Sequence, residues 1–148
     1  MHSYVSCLVH CVFVTRKRRP FIKPDLQQRL WAYLGGIARE NKMKALRIGG
    51  VEDHVHLLIS LPATLSVSRA VQLLKGNSSK WIHTEFPQYK DFEWQEGYGA
   101  FSIGISGVDE TTKYIANQPE HHRKTTFDEE LKAFFEKHGM DYIEQDIE

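Results

Sequence analysis

Residues 52–62 read EDHVHLLISLP, and two histidines, His54 and His56, stand one residue apart in it. In a β-strand that spacing puts both imidazoles on one face and Val55, Leu57 and Ile59 on the other. Their Cα atoms then lie ~7 Å apart, so both rings can reach one divalent cation or one phosphate. The same pattern also suits two unrelated histidines on a half-exposed sheet, and spacing leaves both readings open. A histidine-triad hydrolase needs a third histidine at position 58; Leu58 stands there, so that chemistry lacks its nucleophile.

A second pair lies in KYIANQ, residues 113–118. Tyr114 and Gln118 are four apart and share a helical face. A tyrosine nucleophile needs help, because a free phenol ionises near pH ~10; a metal or a basic neighbour can stabilise the phenolate. The plainer account is a tyrosine packed against a sheet. Pro119 disfavours helical geometry at the residue before it, so this helix is expected to end or kink at Gln118.

Arg16, Lys17, Arg18 and Arg19 form the densest basic run, and Lys75, Lys80, Arg123 and Lys124 are further candidates for phosphate contact. The alternative for each is a solvated surface. Trp81, Trp94, Tyr98 and Phe101 could stack on unpaired bases or belong to the core. His121 and His122 follow the tyrosine helix and are expected near it, not as ligands. Cys7 and Cys11 read as small apolar residues, not as a disulfide or half of a zinc site.

The elements that position these residues can be read from periodicity. Residues 3–14, rich in β-branched and apolar types, form a strand. A helix follows over about 25–41, then strands over 43–48 and 55–61 separated by a turn or bulge at Gly49 and Gly50. Ser66 or Ser68 caps a helix running to about 82. Residues 92–94 suggest a short strand and 98–105 a longer one. Ser106, with Asp109 three residues on, resembles a capping box opening a helix over 108–118. A last helix spans 128–138 and ends at Gly139. The pattern predicts an α+β fold, an antiparallel sheet of about four or five strands with helices mainly on one face.

At 148 residues the chain is most simply one domain. No apolar run approaches the ~20 residues of a transmembrane helix. The basic cluster follows a β-rich stretch, the wrong order for a secretory signal, and a cytoplasmic location is expected. Formal net charge is zero, yet residues 128–148 hold eight acidic residues against two lysines, leaving the preceding body at +6. A basic body can bind phosphate chains, while an acidic C-terminal helix and tail, from about residue 128, would repel them.

Taken together, DHVHLL, GYGAFS at 97–102, YIANQPEHHRK at 114–124 and the early VTRKRRP resemble the single-tyrosine HUH transposases of bacterial insertion sequences, including those associated with repetitive extragenic palindromes. The resemblance runs through nearly the whole chain, in order. It implies a ferredoxin/RRM-like HUH palm, Tyr114 as nucleophile, His54 and His56 as metal-binding histidines, and Gln118 completing the metal site. It also implies Mg²⁺ or Mn²⁺ as cofactor, cleavage of single-stranded DNA at hairpin-bearing insertion-sequence ends, and a homodimer with possible trans active sites. Two alternatives share the histidine pair: a domesticated relative that binds hairpin DNA without cutting, and a replication or relaxase-type nuclease.

Overall fold

The computed structural model describes residues 2–141. Its centre is a four-stranded antiparallel sheet in the order β2-β3-β1-β4, built from β1 (Leu8–Val14), β2 (Lys44–Val51), β3 (His54–Ser60) and β4 (Gly99–Ile103). The α+β expectation holds. β1 and β3 lie in the middle and are buried along almost their whole length, which explains their near-continuous apolar sequence.

Two long helices, α1 (Pro24–Glu40) and α2 (Val67–Glu85), cover one face. Pro24 fits the first turn of α1, where its missing N–H is no loss. Leu26, Leu30, Leu34 and Ile37 then recur at helical spacing and pack on Val9, Cys11, Phe13, Val55, Leu57 and Ile59 of the sheet. Ser66 caps α2 by accepting a hydrogen bond from the Arg69 N–H. Cys11 is buried in this core, and both cysteines are free.

Three shorter helices, α3 (Val108–Ala116), α4 (Gln118–His121) and α5 (Phe127–Lys137), gather on the opposite face. One of the two readings left open by the histidine spacing put that face half in solvent. Phe127, packed with Val12 and Phe101 and supported by Leu131, Phe134 and Phe135, covers it instead.

Several local expectations are corrected. Strand β1 begins at Leu8, not at residue 3. Gly49 and Gly50 lie inside β2; the turn is at Glu52 and Asp53, and the irregular register falls between Ala45 and Arg47. The expected strand at 92–94 amounts to a single bridge between Thr15 and Trp94. Ser106 does not cap α3: residues Ile105–Gly107 form a 3-10 turn, and the helix starts from Gly107 without a side-chain cap. The capping box lies at α5, where Thr126 and Glu129 bond reciprocally. Gly139, at φ +63°, ends that helix as expected. The acidic tail beyond residue 141 lies outside the described residues.

Candidate functional site

β3 carries His54 and His56 toward the face covered by α3, α4 and α5. Both are almost fully buried, at 1% and 0% exposure. β1 adds His10 from the same side, and its Nε2 lies 2.8 Å from Nδ1 of His56. Gly49 is the register partner of His56 on β2. A Cβ at Gly49 would stand 2.8 Å from the backbone oxygen of Ile115, so the missing side chain is what lets α3 approach the sheet here. That approach sets Tyr114, one residue before Ile115, beside His56 with ring centroids 5.7 Å apart.

The tyrosine helix stops at Ala116, two residues earlier than expected. Asn117 makes the break, and Gln118 opens α4 with Pro119 in its first turn. Pro119 therefore starts a new helix more than it kinks the old one. Gln118 still reaches the histidines: its Oε1 lies 3.1 Å from Nε2 of His54. Its amide N–H donates to Oε2 of Glu130 at 3.0 Å.

Glu130, on α5, sits at the centre of the group and is 3% exposed. Its Oε1 accepts from His56 Nε2 at 3.0 Å. Its Oε2 accepts from the Tyr114 hydroxyl and from Gln118, and faces Nε2 of His121 and of His122, each at 3.2 Å. Hydrogen bonds from Tyr114, Gln118 and His122 converge on one carboxylate oxygen, more than its lone pairs serve at once, and His121 stands within reach of the same atom. His54 is held from behind: its Nδ1 donates to Asp53 at 2.7 Å, and Arg18 lies 3.8 Å from the same carboxylate.

Burial pushes His56 down to about 4, against the opposing pull of Glu130. Burial, reinforced by His56, pushes His10 down to about 3. Both rings are thus neutral at pH 7. For Glu130, burial favours the neutral acid, but hydrogen bonds from His122, His56 and Tyr114 outweigh it and hold the carboxyl well below its ordinary range. Burial raises the Tyr114 phenol far above its ordinary value, and the hydrogen bond to Glu130 pushes the same way. The phenol is thus held protonated in this arrangement.

The donor set suits a divalent cation. One ligand atom each from His54, His56, His122 and Glu130 lie within 4.8 Å of one another. Imidazole ligands with a carboxylate fit Mn²⁺ better than Mg²⁺, which prefers oxygen ligands and water. His122, expected near the site but not as a ligand, is part of this group.

The basic candidates separate. Arg18, Arg123 and Lys124 line a cleft of about 510 Å³ beside Asp53 and His122. Arg18 also pairs with Asp128 at 2.8 Å and lies over the Phe127 ring. Arg16 pairs with Glu93, Arg19 lies over Phe21, and Lys17 adopts a left-handed backbone at φ 55°. Lys75 and Lys80 stand on α2, across the sheet from the histidines. The Lys75 ammonium donates to the carbonyls of Gln95 and Gly97. Among the aromatics, Phe101 is buried, Trp94 donates to Ser78, Trp81 stacks on Tyr33, and Tyr98 remains exposed.

Sequence reading missed His10, Asp53 and Glu130. Each left a signal. His10 interrupts the apolar run LVHCVFV, Asp53 directly precedes the histidine pair, and Glu130 falls on the same helical stripe as Phe127, Leu131 and Phe134. A carboxylate on an apolar stripe is buried with partners or not at all.

Among the described residues no helix is long and apolar enough to cross a membrane. The chain is similar to the transposase for insertion sequence element IS200 from Salmonella typhimurium, 27% identical over 124 residues that cover 80% of this chain and 81% of that one. It is also 28% identical to the ISDra2 transposase TnpA of Deinococcus radiodurans, over 74% of this chain and 81% of that one. Two solved structures share the fold. A putative transposase from Deinococcus radiodurans matches at TM-score 0.66 and 23% identity, over 80% of this chain and 95% of that one. A REP-associated tyrosine transposase bound to a REP hairpin matches at TM-score 0.61 and 18% identity, over 82% and 72%. The family described as "Transposase IS200 like" matches residues 3–118, and the chain belongs to that family.

Proposed function

We propose that this transposase cleaves and rejoins single-stranded DNA through a covalent tyrosine intermediate, in a metal-dependent reaction that needs no ATP. The observation that carries this reading is the convergence of Tyr114, His54, His56 and Gln118, from β3, α3 and α4, on one buried point. Mg²⁺ or Mn²⁺ held by His54 and His56 with Gln118, and with His122 and Glu130 in reach, would polarise and orient the scissile phosphate.

The chain's own groups do the rest. Tyr114 attacks phosphorus, the bond from phosphorus to the 3′ oxygen breaks, and a 3′-OH leaves. Overall, the phenol's proton passes to that oxygen, with Glu130 in reach to hold it. The 5′-phosphotyrosine bond keeps the energy of the phosphodiester, so another 3′-OH can reverse the step and join new ends. Arg18, Arg123 and Lys124 along the neighbouring cleft, with Arg16, Lys17 and Arg19, would hold the phosphate chain. The hairpin-bound structural relative supports a folded hairpin as the substrate form.

Incubation with Mn²⁺ and single-stranded DNA from the flanks of the gene, followed by a denaturing gel, tests this. A covalent adduct is expected, absent in Tyr114→Phe. Its persistence in that variant would remove Tyr114 from the role. His54→Ala and His56→Ala should lose cleavage and keep most DNA binding. The implied homodimer is part of the same reading. Adduct formation restored by mixing Tyr114→Phe with His56→Ala protein would place tyrosine and histidines of one active site on different subunits.

A second reading, hairpin binding without cleavage, is favoured by one observation: burial and Glu130 hold the Tyr114 phenol protonated. The absence of any adduct on either flank, with binding intact, would select it.

A further inference from the structure

We infer that His10 is a positioning residue for the metal site: it holds His56 by Nδ1, so that Nε2 is the nitrogen His56 turns toward a cation. The inference rests on the metal-dependent reading above and adds a residue that touches neither substrate nor cation.

The geometry is specific. His10 and His56 come from adjacent central strands, and their facing ring nitrogens are 2.8 Å apart in a buried setting. The His10 ring is itself fixed. Phe134 meets it edge-on at 5.1 Å, Tyr114 at 6.1 Å and Phe101 at 6.4 Å between centroids. Nε2 of His56 points the other way, to Oε1 of Glu130 at 3.0 Å. The other histidine of the pair is supported in the same manner, because Asp53 holds Nδ1 of His54 at 2.7 Å. Each ring therefore has its Nδ1 engaged from behind and its Nε2 facing the shared centre.

The choice of histidine at position 10 has a chemical reason. In the arrangement described here Glu130 is an acceptor, so His56 donates from Nε2, and its Nδ1 must accept from His10 Nε2–H. When His56 gives its Nε2 lone pair to a cation, its proton moves to Nδ1, and His10 must then accept. Only a group that can both donate and accept serves both states. A neutral imidazole does so by changing tautomer. A carboxylate could only accept and a lysine could only donate. A partner behind a metal-ligating histidine commonly contributes 10- to 100-fold in metal affinity.

The test measures metal uptake by the full chain without DNA. Titration calorimetry with Mn²⁺ on the wild-type protein, His10→Phe and His10→Gln is the first arm. His10→Phe should bind Mn²⁺ about 10- to 100-fold more weakly. His10→Gln, whose amide can offer either N–H or C=O to His56, should stay within roughly fivefold of wild type. The second arm serves even if His10→Phe fails to fold: ¹⁵N NMR of the wild-type imidazoles with and without Zn²⁺ as a diamagnetic probe. The His56 proton should sit on Nε2 without metal and on Nδ1 with it. A wild-type protein that takes up no Mn²⁺ overturns the metal site and this inference together. Wild-type uptake matched by a folded His10→Phe, or Zn²⁺ bound through Nδ1 of His56, overturns this inference alone.

Discussion

Tyr114 and Glu130, sixteen residues apart on different helices, are joined by a hydrogen bond from phenol to carboxylate. The bond holds the proposed nucleophile and occupies it at once. On the proposed mechanism an incoming phosphate would have to displace a carboxylate of its own charge, so Glu130 is the group whose removal should alter Tyr114 most.

In Glu130→Gln, Tyr114 loses a neighbouring negative charge that favours its protonated form. Its phenol should ionise at lower pH than in the parent protein, because two of the causes that raise it come from Glu130. Ultraviolet titration of phenolate absorbance, with Tyr114→Phe as the blank, reads this directly. An unchanged or higher Tyr114 midpoint would contradict the assignment.

Without metal, the fold should weaken as pH falls from 7 toward 4. His10 and His56 have folded-state pKa values of about 3 and about 4, against ~6.5 in an unfolded chain. Between those limits the unfolded chain binds more protons, so stability rises with pH there and is fully present above about 6.5. Protonating each buried ring should cost the folded state on the order of a few kcal/mol. Urea midpoints at pH 7 and pH 5 check it, and equal midpoints would count against the prediction.

Saturating Mn²⁺ should stabilise the protein. At a hundredfold excess over Kd the gain is about 2.7 kcal/mol, a rise of several degrees in Tm. His54→Ala and His56→Ala should lose this rise, and so should the wild-type protein after chelation. Differential scanning calorimetry with and without the ion distinguishes the cases.

Gly49→Ala should act on the site from outside it. The added methyl would meet the Ile115 carbonyl oxygen at 2.8 Å, and backbone cannot swing away as a flexible side chain can. A cost of roughly 1–3 kcal/mol is expected, with α3 and Tyr114 displaced from His56. Adduct formation should fall even where the variant stays folded; a fully active, equally stable variant would show that α3 has slack.

Much of this architecture was legible in sequence. β1 and β3 announced themselves by dense β-branched and apolar runs, and α1 by its Leu26, Leu30, Leu34 and Ile37 stripe. The histidine pair and the Tyr114–Gln118 pair were legible because each is a short-range pattern. The remainder is tertiary. Gly49 and Gly50 read as a turn or bulge, since two glycines usually loosen a chain; here one of them lets a helix come close to a strand. Glu130 read as one more solvated acid in an acidic tail, because only the docking of α5 shows where its side chain goes. The exposed charge expected of that helix is partly spent inside the protein.

The separations across the site carry a kinetic consequence. His56 and Glu130 are 74 residues apart, and His54 and Gln118 are 64 apart. Contacts of such range close large loops, and topologies rich in them fold slowly. During synthesis the sheet can be complete once β4 has emerged, whereas the polar centre must wait for α5. A chain made only as far as β4 can therefore pair its four strands while still lacking Gln118, His122 and Glu130.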